Sequence, residues 1–313
     1  MAPKGSPDLS VVIMTPDSFE TIRKTLEAIR QQTVKNRIEL IIVAPENADV
    51  NPDLSVIGQF YGYRLIKIIS FRSLGTAKAE GIRAASAPVI ALIEEHVYPD
   101  PGWAEALISA HQAKWSVIGP VVRNAEPHTL MSWADFIITY GQWMEPQSGG
   151  ITSALPGHNS SYKRSVLMDY EDALGEKLEV EAALHDELQH QGHLLYIEPN
   201  AVIYHLGYHK LFASLPVQFH IGRLYATGRI MTWPLIRRLL YFAASPLIPL
   251  VRLFRLTRRL IQSGSQRRCP YLALVFTLPG LISSALGEMA GYAAGPGDSK
   301  AKIIRHEFHR DQH

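Results

Sequence analysis

The stretch Val89-Ile-Ala-Leu-Ile-Glu94-Glu95-His96 decides the fold of this chain. Its apolar part lies between proline-containing turns, a pattern that predicts a buried strand of an α/β sheet. The polar triplet follows the strand directly, at the end where open α/β sheets bind their ligands. Adjacent carboxylates repel each other unless they share a cation, and carboxylate oxygens with one imidazole nitrogen suit Mg²⁺ or Mn²⁺. The stretch therefore predicts a divalent-metal site, with a solvated charged turn that binds nothing as the alternative.

Strand and helix patterns alternate on the amino-terminal side of this stretch. They predict three strands and two helices: 9–14, 38–43 and 63–69 as strands, and 19–33 and 75–85 as helices. Strands that alternate with helices are typical of a parallel sheet with helices on its faces. The expected fold class is therefore α/β, with a Rossmann-like, mostly parallel sheet flanked by helices. The turns at the carboxyl ends of its strands are expected to be open to a ligand.

The chain beyond the triplet continues this alternation and then becomes irregular. Patterns of the same kind predict two more helices and three more strands: 103–113 and 177–191 as helices, and 115–119, 194–197 and 201–204 as strands. Residues 124–156 are predicted to be irregular. Their Trp and Met residues indicate a loop-bearing region that contacts a second ligand.

The charge of the chain is strongly polarised, although its net charge is only +2. From Pro199 to the end there are 15 Lys and Arg residues against 4 Asp and Glu residues, and no acidic residue lies between Pro199 and Gly287. Such asymmetry indicates an anionic surface as the partner. Long Leu and Ile runs between the arginines favour an anionic membrane over nucleic acid. No nucleic-acid partner is expected.

Residues 208–313 are predicted to form a helical region that is both basic and apolar. Residues 235–261 have the pattern of an interfacial helix pair broken by prolines, and 271–294 are apolar for long enough to embed in a bilayer. A membrane span at 271–294 and a helical domain packed on the core are the alternatives. The lone Cys269 and the lack of an apolar amino-terminal segment indicate a reducing compartment and no secretory signal. The expected location is the cytoplasmic face of a membrane, with peripheral or monotopic attachment.

Six motifs follow one another in a recognisable order. They are Ser10-Val-Val-Ile-Met-Thr15 with its helix, Glu39-Leu-Ile-Ile-Val43, Gly75-Thr-Ala-Lys-Ala-Glu-Gly81, the stretch 89–96 with Pro99-Asp-Pro-Gly-Trp103, Pro156-Gly-His-Asn-Ser-Ser-Tyr-Lys-Arg164, and Gly192-His-Leu-Leu-Tyr-Ile-Glu-Pro199 with Tyr204-His205. Each motif is weak alone, but in this order they resemble the family 2 glycosyltransferases, nucleotide-sugar enzymes of the GT-A fold. The resemblance covers residues 10–205 and implies a GT-A catalytic domain at 8–207, followed by the helical region at 208–313.

The chain departs from the family pattern at three positions. Ala44-Pro45 stand where the family usually has an aspartate that holds the donor base, and Glu46 is the acidic residue that follows. The metal motif ends in His96, where the family usually has an aspartate. The Glu-Asp pair that usually precedes the late helix is absent, and counting back from Gly192 by the family's spacing leads to Glu181.

The resemblance implies a binding site for a UDP- or GDP-linked sugar. The implied donor-binding residues are Thr15, Asp17, Glu46, Lys78, Glu94 and Gly157. Among them, Lys78 would pair with phosphate as a point charge, and Glu94 would face the ribose or a metal-bound water. The implied metal ligands are Glu95, His96 and His205. They would hold Mg²⁺ or Mn²⁺, which stabilises the departing diphosphate as a Lewis acid.

The resemblance also implies a general base and an acceptor site. An inverting transfer needs a base that takes the proton from the acceptor hydroxyl. Glu181 is the expected base, with Glu179 and Asp186 behind it. The implied acceptor-binding residues are His158, Asn159 and Trp143. An ordinary surface or core role is the alternative for each of these side chains.

Together these expectations describe a metal-dependent, inverting glycosyltransferase. Its acceptor would be a sugar, a lipid-linked sugar or a polysaccharide, in the synthesis of cell-surface or exported polysaccharide or glycolipid. A nucleotidyltransferase also pairs an α/β sheet with metal-binding carboxylates, but Met14-Thr-Pro-Asp-Ser18 does not supply the Gly-rich phosphate loop that it needs. A catalytically degenerate membrane scaffold of the same fold is the second alternative, because the metal motif is altered and the Glu-Asp pair is missing.

Overall fold

The structure is a computed structural model that describes residues 5–208, 210, 212–230, 233–262 and 268–308, without the side chains of residues 268 and 307. Most of the remaining positions belong to the predicted helical region at 208–313. That part of the prediction lies outside the described residues.

The described residues form one sheet of nine strands. The strands are β1 Leu9–Met14, β2 Ile38–Pro45, β3 Gly62–Ile68, β4 Val89–Ile93, β5 Val97–Pro99, β6 Val117–Asn124, β7 Gly150–Ile151, β8 Ser161–Lys163 and β9 Leu195–His205. Their order is β3-β2-β1-β4-β8-β6-β9-β5, and β7 pairs with β9. Four neighbouring strands of the sheet, β3, β2, β1 and β4, are parallel to one another. Strand β8 is antiparallel to both of its neighbours, β4 and β6. The predicted α/β class with a mostly parallel sheet is confirmed.

The helices lie between and after these strands. They are α1 Phe19–Arg30, α2 Leu54–Ile57, α3 Leu74–Ala84, α4 Trp103–Ala110, α5 Leu130–Tyr140, α6 Arg164–Met168, α7 Leu174–Lys177, α8 Glu181–His190, α9 Leu215–Ile230, α10 Leu235–Ala244, α11 Ile248–Gln262, α12 Arg268–Ala294 and α13 Ser299–Phe308. Short 3₁₀ turns occur at Lys35–Arg37, Gly157–Asn159, Glu171–Ala173 and Ser245–Leu247.

The central parallel strands are buried because their sequences are apolar runs. Every residue of β1, β2 and β4 is buried, as a sheet covered by helices on both faces requires. Parallel pairing brings the carboxyl ends of these strands to one edge, with Met14 beside Val43 and Ile13 beside Ile93. Polar residues that follow the three strands are therefore brought towards the same edge of the sheet.

Three predicted elements differ from the structure. Residues 130–140 form α5, so the prediction of an irregular stretch at 124–156 is wrong there. The helix is short, its N-cap is Thr129, whose hydroxyl oxygen accepts from the Ser132 amide at 3.1 Å, and most of its residues are buried. The two predicted late strands are the single strand β9. The helix predicted at 177–191 is interrupted, and α7 and α8 replace it.

Contacts divide the chain into two compact units. The first comprises residues 1–123 and 147–204, and the second comprises 124–146 and 205–313. The chain passes from one unit to the other after residues 123, 146 and 204, and the predicted division after residue 207 lies close to the third of these boundaries. It does not include the assignment of 124–146 to the second unit.

Within the second unit, α12 packs closely on α9 because glycines line both helices. A Cβ atom on Gly287 would lie 1.9 Å from the carbonyl oxygen of Phe219, and one on Gly222 would lie 2.2 Å from that of Ser284. Only glycine allows the two backbones to approach this far. An ion pair joins α11 to α12: Arg252 Nη2 of α11 donates to Glu288 Oε1 of α12 at 2.6 Å.

The second unit also exposes apolar side chains. The exposed apolar residues of α10 and α11 are Leu235, Ile236, Leu239, Leu240, Tyr241, Phe242, Leu250, Val251, Phe254 and Ile261. Two helical stretches, Leu235–Gln262 and Cys269–Ala294, are long and apolar enough to cross a membrane, and 11% and 39% of an apolar 18-residue segment of each, respectively, are buried within the protein. Length and composition alone are weak evidence for a span. The exposed apolar side chains of α10 and α11 are stronger evidence for an interaction surface than length and composition are for a span.

Candidate active site

The turn after β4 places two carboxylates around one imidazole. Glu95 Oε1 lies 2.9 Å from Nδ1 of His96, and Glu94 Oε2 lies 3.7 Å from its Nε2. The Val97 amide donates to the Glu94 carbonyl at 3.2 Å, and the Thr25 hydroxyl donates to the Glu95 carbonyl at 2.6 Å. These bonds fix the turn. They hold three potential cation ligands in a corner where each side chain is largely buried.

Asn159 holds Glu94 from both sides. Its Nδ2 donates to Glu94 Oε2 at 2.6 Å, and its Oδ1 accepts from the Glu94 amide at 3.1 Å. The contact follows from the antiparallel pairing of β4 with β8, in which Ala91 lies opposite Ser161. This pairing brings the 3₁₀ turn before β8 to the carboxyl end of β4. The structure therefore gives Asn159 a role in shaping the corner, and its predicted contact with an acceptor stays a prediction.

One carboxylate and two imidazoles form the candidate metal group. Single ligand atoms of Glu94, His96 and His205 lie within 4.8 Å of one another, and His205 is the last residue of β9. The sequence predicted Glu95, His96 and His205 as the ligands. Glu95 Oε1 lies 2.9 Å from Nδ1 of His96, and its role as a metal ligand stays a prediction. The carboxylate suits Mg²⁺ or Mn²⁺, whereas the imidazoles shift the set towards softer divalent ions. The donor set fits a divalent cation and does not select one metal.

A second cluster joins three segments that are distant in the sequence. Lys78 of α3 donates from Nζ to Oε1 of Glu181, the first residue of α8. His158, in the 3₁₀ turn at Gly157–Asn159, has its Nδ1 2.9 Å from Lys78 Nζ and 3.1 Å from Glu181 Oε1. The side chains of Lys78 and Glu181 are each 4% exposed, whereas that of His158 is 37% exposed. The ion pair is thus buried, and only the imidazole reaches solvent.

Burial and charge act in opposite directions on this cluster. Burial would raise the pKa of Glu181, but His158 and Lys78 outweigh it and hold that pKa well below its ordinary value of 4.5. Burial would lower the pKa of His158, but the Glu181 carboxylate outweighs burial and raises that pKa above 6.5. The position of Glu181 at a helix amino terminus also favours a negative charge. Glu181 is therefore a carboxylate at neutral pH.

Two glycines allow the close approach of neighbouring segments. A Cβ atom on Gly157 would lie 2.6 Å from Cβ of Glu181, and one on Gly75 would lie 2.2 Å from the Gly175 carbonyl oxygen. Where α3 begins, the Gly75 amide donates to Glu179 Oε2 at 3.3 Å. Glu179 therefore satisfies a free amide at the start of α3, which gives this predicted base a structural role.

The predicted donor residues after β1 and β2 occupy the starts of loops and helices. Thr15 is buried and donates from Oγ1 to the Ser18 carbonyl at 2.5 Å. The exposed Asp17 accepts from the Ser18 amide at 2.6 Å and from the Thr21 hydroxyl at 2.5 Å, at the start of α1. Glu46 is exposed directly after β2. Parallel pairing of the strands brings these loops towards the same edge of the sheet, and their contact with a donor stays a prediction.

Two further predicted site residues, Asp186 and Trp143, belong to neither cluster. Asp186 is exposed on α8. Trp143 belongs to the second unit, where its ring packs edge-on against Tyr140 with centroids 6.2 Å apart. The catalytic role of Asp186 and the acceptor role of Trp143 stay predictions.

Tyr162 and His185 form a buried pair near Glu181 that was not predicted from the sequence. The hydroxyl of Tyr162 lies 2.8 Å from Nε2 of His185, and both side chains are fully enclosed. Burial lowers the pKa of His185 to about 4, although the Glu181 carboxylate acts in the opposite direction. A usable signal existed, because His185 follows Glu181 by four residues and so shares its face of α8.

Comparison with known proteins agrees with this geometry. Residues 10–171 match the model of glycosyl transferase family 2, which is more than half of the chain. The chain therefore belongs to glycosyl transferase family 2, as the order of its motifs predicted.

Curated relatives share shorter segments. The chain is 31% identical over 105 residues to EpsH of Bacillus subtilis (strain 168), which is named as a glycosyltransferase, covering 33% of this chain and 30% of EpsH. It is 27% identical over 133 residues to human polypeptide N-acetylgalactosaminyltransferase 9, covering 40% of this chain and 22% of that protein. The chain thus matches less than a third of the length of either relative.

A solved structure resembles nearly the whole chain. The mannosyltransferase PcManGT from Pyrobaculum calidifontis, in complex with GDP-Man and Mn²⁺, superposes with a TM-score of 0.54 at 14% identity. The superposition covers 92% of this chain and 88% of PcManGT. At this level of identity the likeness concerns the fold, and the predicted GT-A fold is confirmed.

Proposed function

We propose that this chain transfers a sugar from a nucleoside-diphosphate donor to an acceptor hydroxyl in a metal-dependent, inverting reaction. The observation that carries the proposal is that one short turn, Gly157–Asn159, serves both charged clusters. Asn159 holds Glu94 of the candidate metal group, and its neighbour His158 contacts the Lys78–Glu181 pair. Cation ligands and a proton-accepting cluster are the two parts that such a transfer needs.

The two clusters divide the chemistry between them. A divalent ion held by Glu94, His96 and His205 would act as a Lewis acid on the diphosphate. Lys78 is buried in its ion pair with Glu181, so its predicted contact with phosphate stays a prediction. The buried carboxylate of Glu181 orients the imidazole of His158 and keeps a base within the cluster. Membership of the family supports inversion, and the GDP-Man and Mn²⁺ in PcManGT support a nucleotide-sugar donor and Mn²⁺.

Donor hydrolysis tests this proposal without knowledge of the acceptor, because water can take its place. Purified protein is incubated with UDP-N-acetylgalactosamine, UDP-glucose and GDP-mannose, with Mn²⁺, with Mg²⁺ or with EDTA, and free nucleotide is measured. We expect metal-dependent release from at least one donor. The release should be lost in Glu94→Gln and reduced in Glu95→Ala, and retained in the control Glu176→Ala, which changes an exposed acid of α7. Absence of both turnover and nucleotide binding in the wild type would favour the degenerate scaffold.

The proposed location is the cytoplasmic face of an anionic membrane, with a lipid-linked or growing polysaccharide acceptor. Its support lies in α10 and α11, which expose apolar side chains and carry six arginines but no acidic residue. Basic amphipathic helices gain both apolar burial and attraction to anionic lipid. Leu239–Val251 is the longest run without charge in these helices and is shorter than the roughly 20 residues that a span needs, which favours an in-plane position.

Vesicle sedimentation tests this location. The full chain should sediment with vesicles of phosphatidylserine and phosphatidylcholine, and less with phosphatidylcholine alone. Changing Leu239, Leu250 and Phe254 together to Gln should abolish the binding. A matched triple change of Leu54, Ile69 and Ile151, which are equally exposed in the first unit, should leave it intact. Equal binding by the two triple variants would count against α10 and α11 as the attachment site.

A further inference from the structure

Glu181 occupies the position expected for the base, but the structure encloses its carboxylate. Its side chain is only 4% exposed, and Oε1 already accepts from Lys78 and lies 3.1 Å from His158 Nδ1. Gly157 lies directly against it, since a Cβ atom there would come within 3.1 Å of Oε2. An acceptor hydroxyl would have to displace a buried ion pair to reach this carboxylate, which is costly.

His158 is the one exposed member of the cluster. Its Nδ1 faces Glu181 and Lys78, and its Nε2 has no partner among the residues that the structure describes. The residue that follows it, Asn159, is bonded to Glu94 in the candidate metal group. His158 therefore belongs to the turn that connects the buried Glu181 carboxylate with Glu94 of the candidate metal group.

We infer that His158 is the general base of the transfer and that Glu181 acts through it as a positioning residue. In this step the acceptor O–H gives its proton to Nε2 of His158 while the acceptor oxygen forms a bond to the anomeric carbon. The bond from that carbon to the phosphate oxygen breaks, and its electron pair leaves with the nucleoside diphosphate. Water takes the proton from Nε2 afterwards. The inference rests on the proposed function and assigns the residue that carries the proton.

The surroundings of His158 favour this role. Nδ1 of His158 lies 2.9 Å from the Lys78 ammonium and 3.1 Å from the Glu181 carboxylate. Because Lys78 already donates to Glu181, we take the carboxylate as the partner of Nδ1, so that the proton is on Nδ1 and Nε2 is the acceptor. The ordinary pKa of histidine lies near neutral pH, where a general base works best, and the same carboxylate raises the pKa of His158 and makes it a stronger base. Lys78 neutralises Glu181 and holds it in place. His158, which the sequence predicted as an acceptor-binding residue, would thus also take the proton of the acceptor hydroxyl.

The test compares His158→Ala, His158→Gln and Glu181→Gln in the same Mn²⁺-dependent hydrolysis of the three nucleotide sugars. Removal of a general base costs about 100-fold to 10,000-fold in rate. We expect losses in this range for both His158 variants, with UDP or GDP binding retained. Added imidazole should restore part of the rate to His158→Ala and none to Glu181→Gln. His190→Ala, an exposed histidine at the end of α8, is the control and should keep the wild-type rate.

Two results would overturn the inference while leaving the proposed function intact. One is wild-type turnover that His158→Ala changes by less than about threefold, against the 100-fold minimum expected for a base. The other is a fully active His158→Gln, which would show that the side chain only donates or accepts a hydrogen bond. A wild-type protein that releases no nucleotide from any donor would overturn both proposals.

Discussion

The two charged clusters of the first unit are assembled in opposite ways. Glu94, Glu95 and His96 are consecutive residues after one buried strand, so they come together as soon as that strand takes its place in the sheet. Lys78, His158 and Glu181 come from a helix, a 3₁₀ turn and another helix, and more than 20 residues separate any two of them. The first cluster depends on one strand and its turn. The second exists only when the whole first unit has folded.

This difference carries an energetic consequence. The triplet lies at the end of a strand, where its side chains are 8–13% exposed, and we expect it to contribute less to folding than the second cluster. The second cluster buries a lysine and a carboxylate that must compensate each other, because removal of one partner leaves an unpaired buried charge. We therefore expect substitutions in the triplet to affect activity, and substitutions in the second cluster to affect both stability and activity.

The largest expected effect comes from Lys78→Met. It leaves the buried Glu181 carboxylate with His158 as its remaining charged partner and should lower the free energy of unfolding by about 3–5 kcal/mol. Urea denaturation followed by circular dichroism measures this change. The control Lys177→Met removes a partly exposed lysine from its pair with Glu187 and should cost less than about 1 kcal/mol. Equal losses of unfolding free energy in the two variants would contradict the expectation that the buried pair matters more for stability than the exposed pair.

A somewhat smaller effect is expected from Gly157→Ala. The added methyl group would meet Cβ of Glu181 at 2.6 Å and displace the turn that links the two clusters. A shift of about 1 Å in catalytic groups costs roughly 100-fold in rate, so donor hydrolysis should fall by that order. Gly62→Ala in β3, where a Cβ atom has no neighbour within 4 Å, should retain the rate. A Gly157→Ala variant that keeps the wild-type rate would show that donor hydrolysis does not depend on the turn that links the two clusters.

The effect that is smallest at neutral pH concerns acid stability. Burial lowers the pKa of His185 to about 4 from its ordinary 6.5, so this histidine stabilises the fold above pH 6.5 and that contribution is lost as the pH falls towards 4. His185→Gln should therefore flatten the decline of unfolding free energy over this range by up to about 1.4 kcal/mol per pH unit. Urea titrations at several pH values measure the slope, with His190→Gln as the control. An unchanged slope in His185→Gln would show that His185 is not held neutral in the folded protein.

The sequence predicted the parts of this molecule that depend on local pattern. The strand before Glu94, the parallel sheet and the GT-A fold are confirmed, because apolar runs and their alternation with helices are encoded within short segments. The association of Lys78 with Glu181 was not predicted. It arises from the packing of α3, α8 and the turn before β8, and no local pattern records such contacts.

The errors have a similar origin. The short helix α5 was missed because Trp133 and Met144 were interpreted as features of a loop, whereas most of α5 is buried within the second unit. The arrangement of the two carboxylates was also not predicted: Glu94 Oε2 faces Nε2 of His96 and Glu95 Oε1 faces its Nδ1, because the turn geometry and Asn159 fix both side chains. Spacing alone does not distinguish two adjacent acids.

The most direct test of the central claim is a crystal structure of the protein with UDP or GDP and Mn²⁺, with anomalous scattering recorded at the manganese edge. We expect an anomalous peak within about 2.0–2.6 Å of ligand atoms of Glu94 and His96, with the diphosphate bound beside it and next to the Gly157–Asn159 turn. A nucleotide bound elsewhere on the protein, or a manganese peak away from Glu94 and His96, would contradict it.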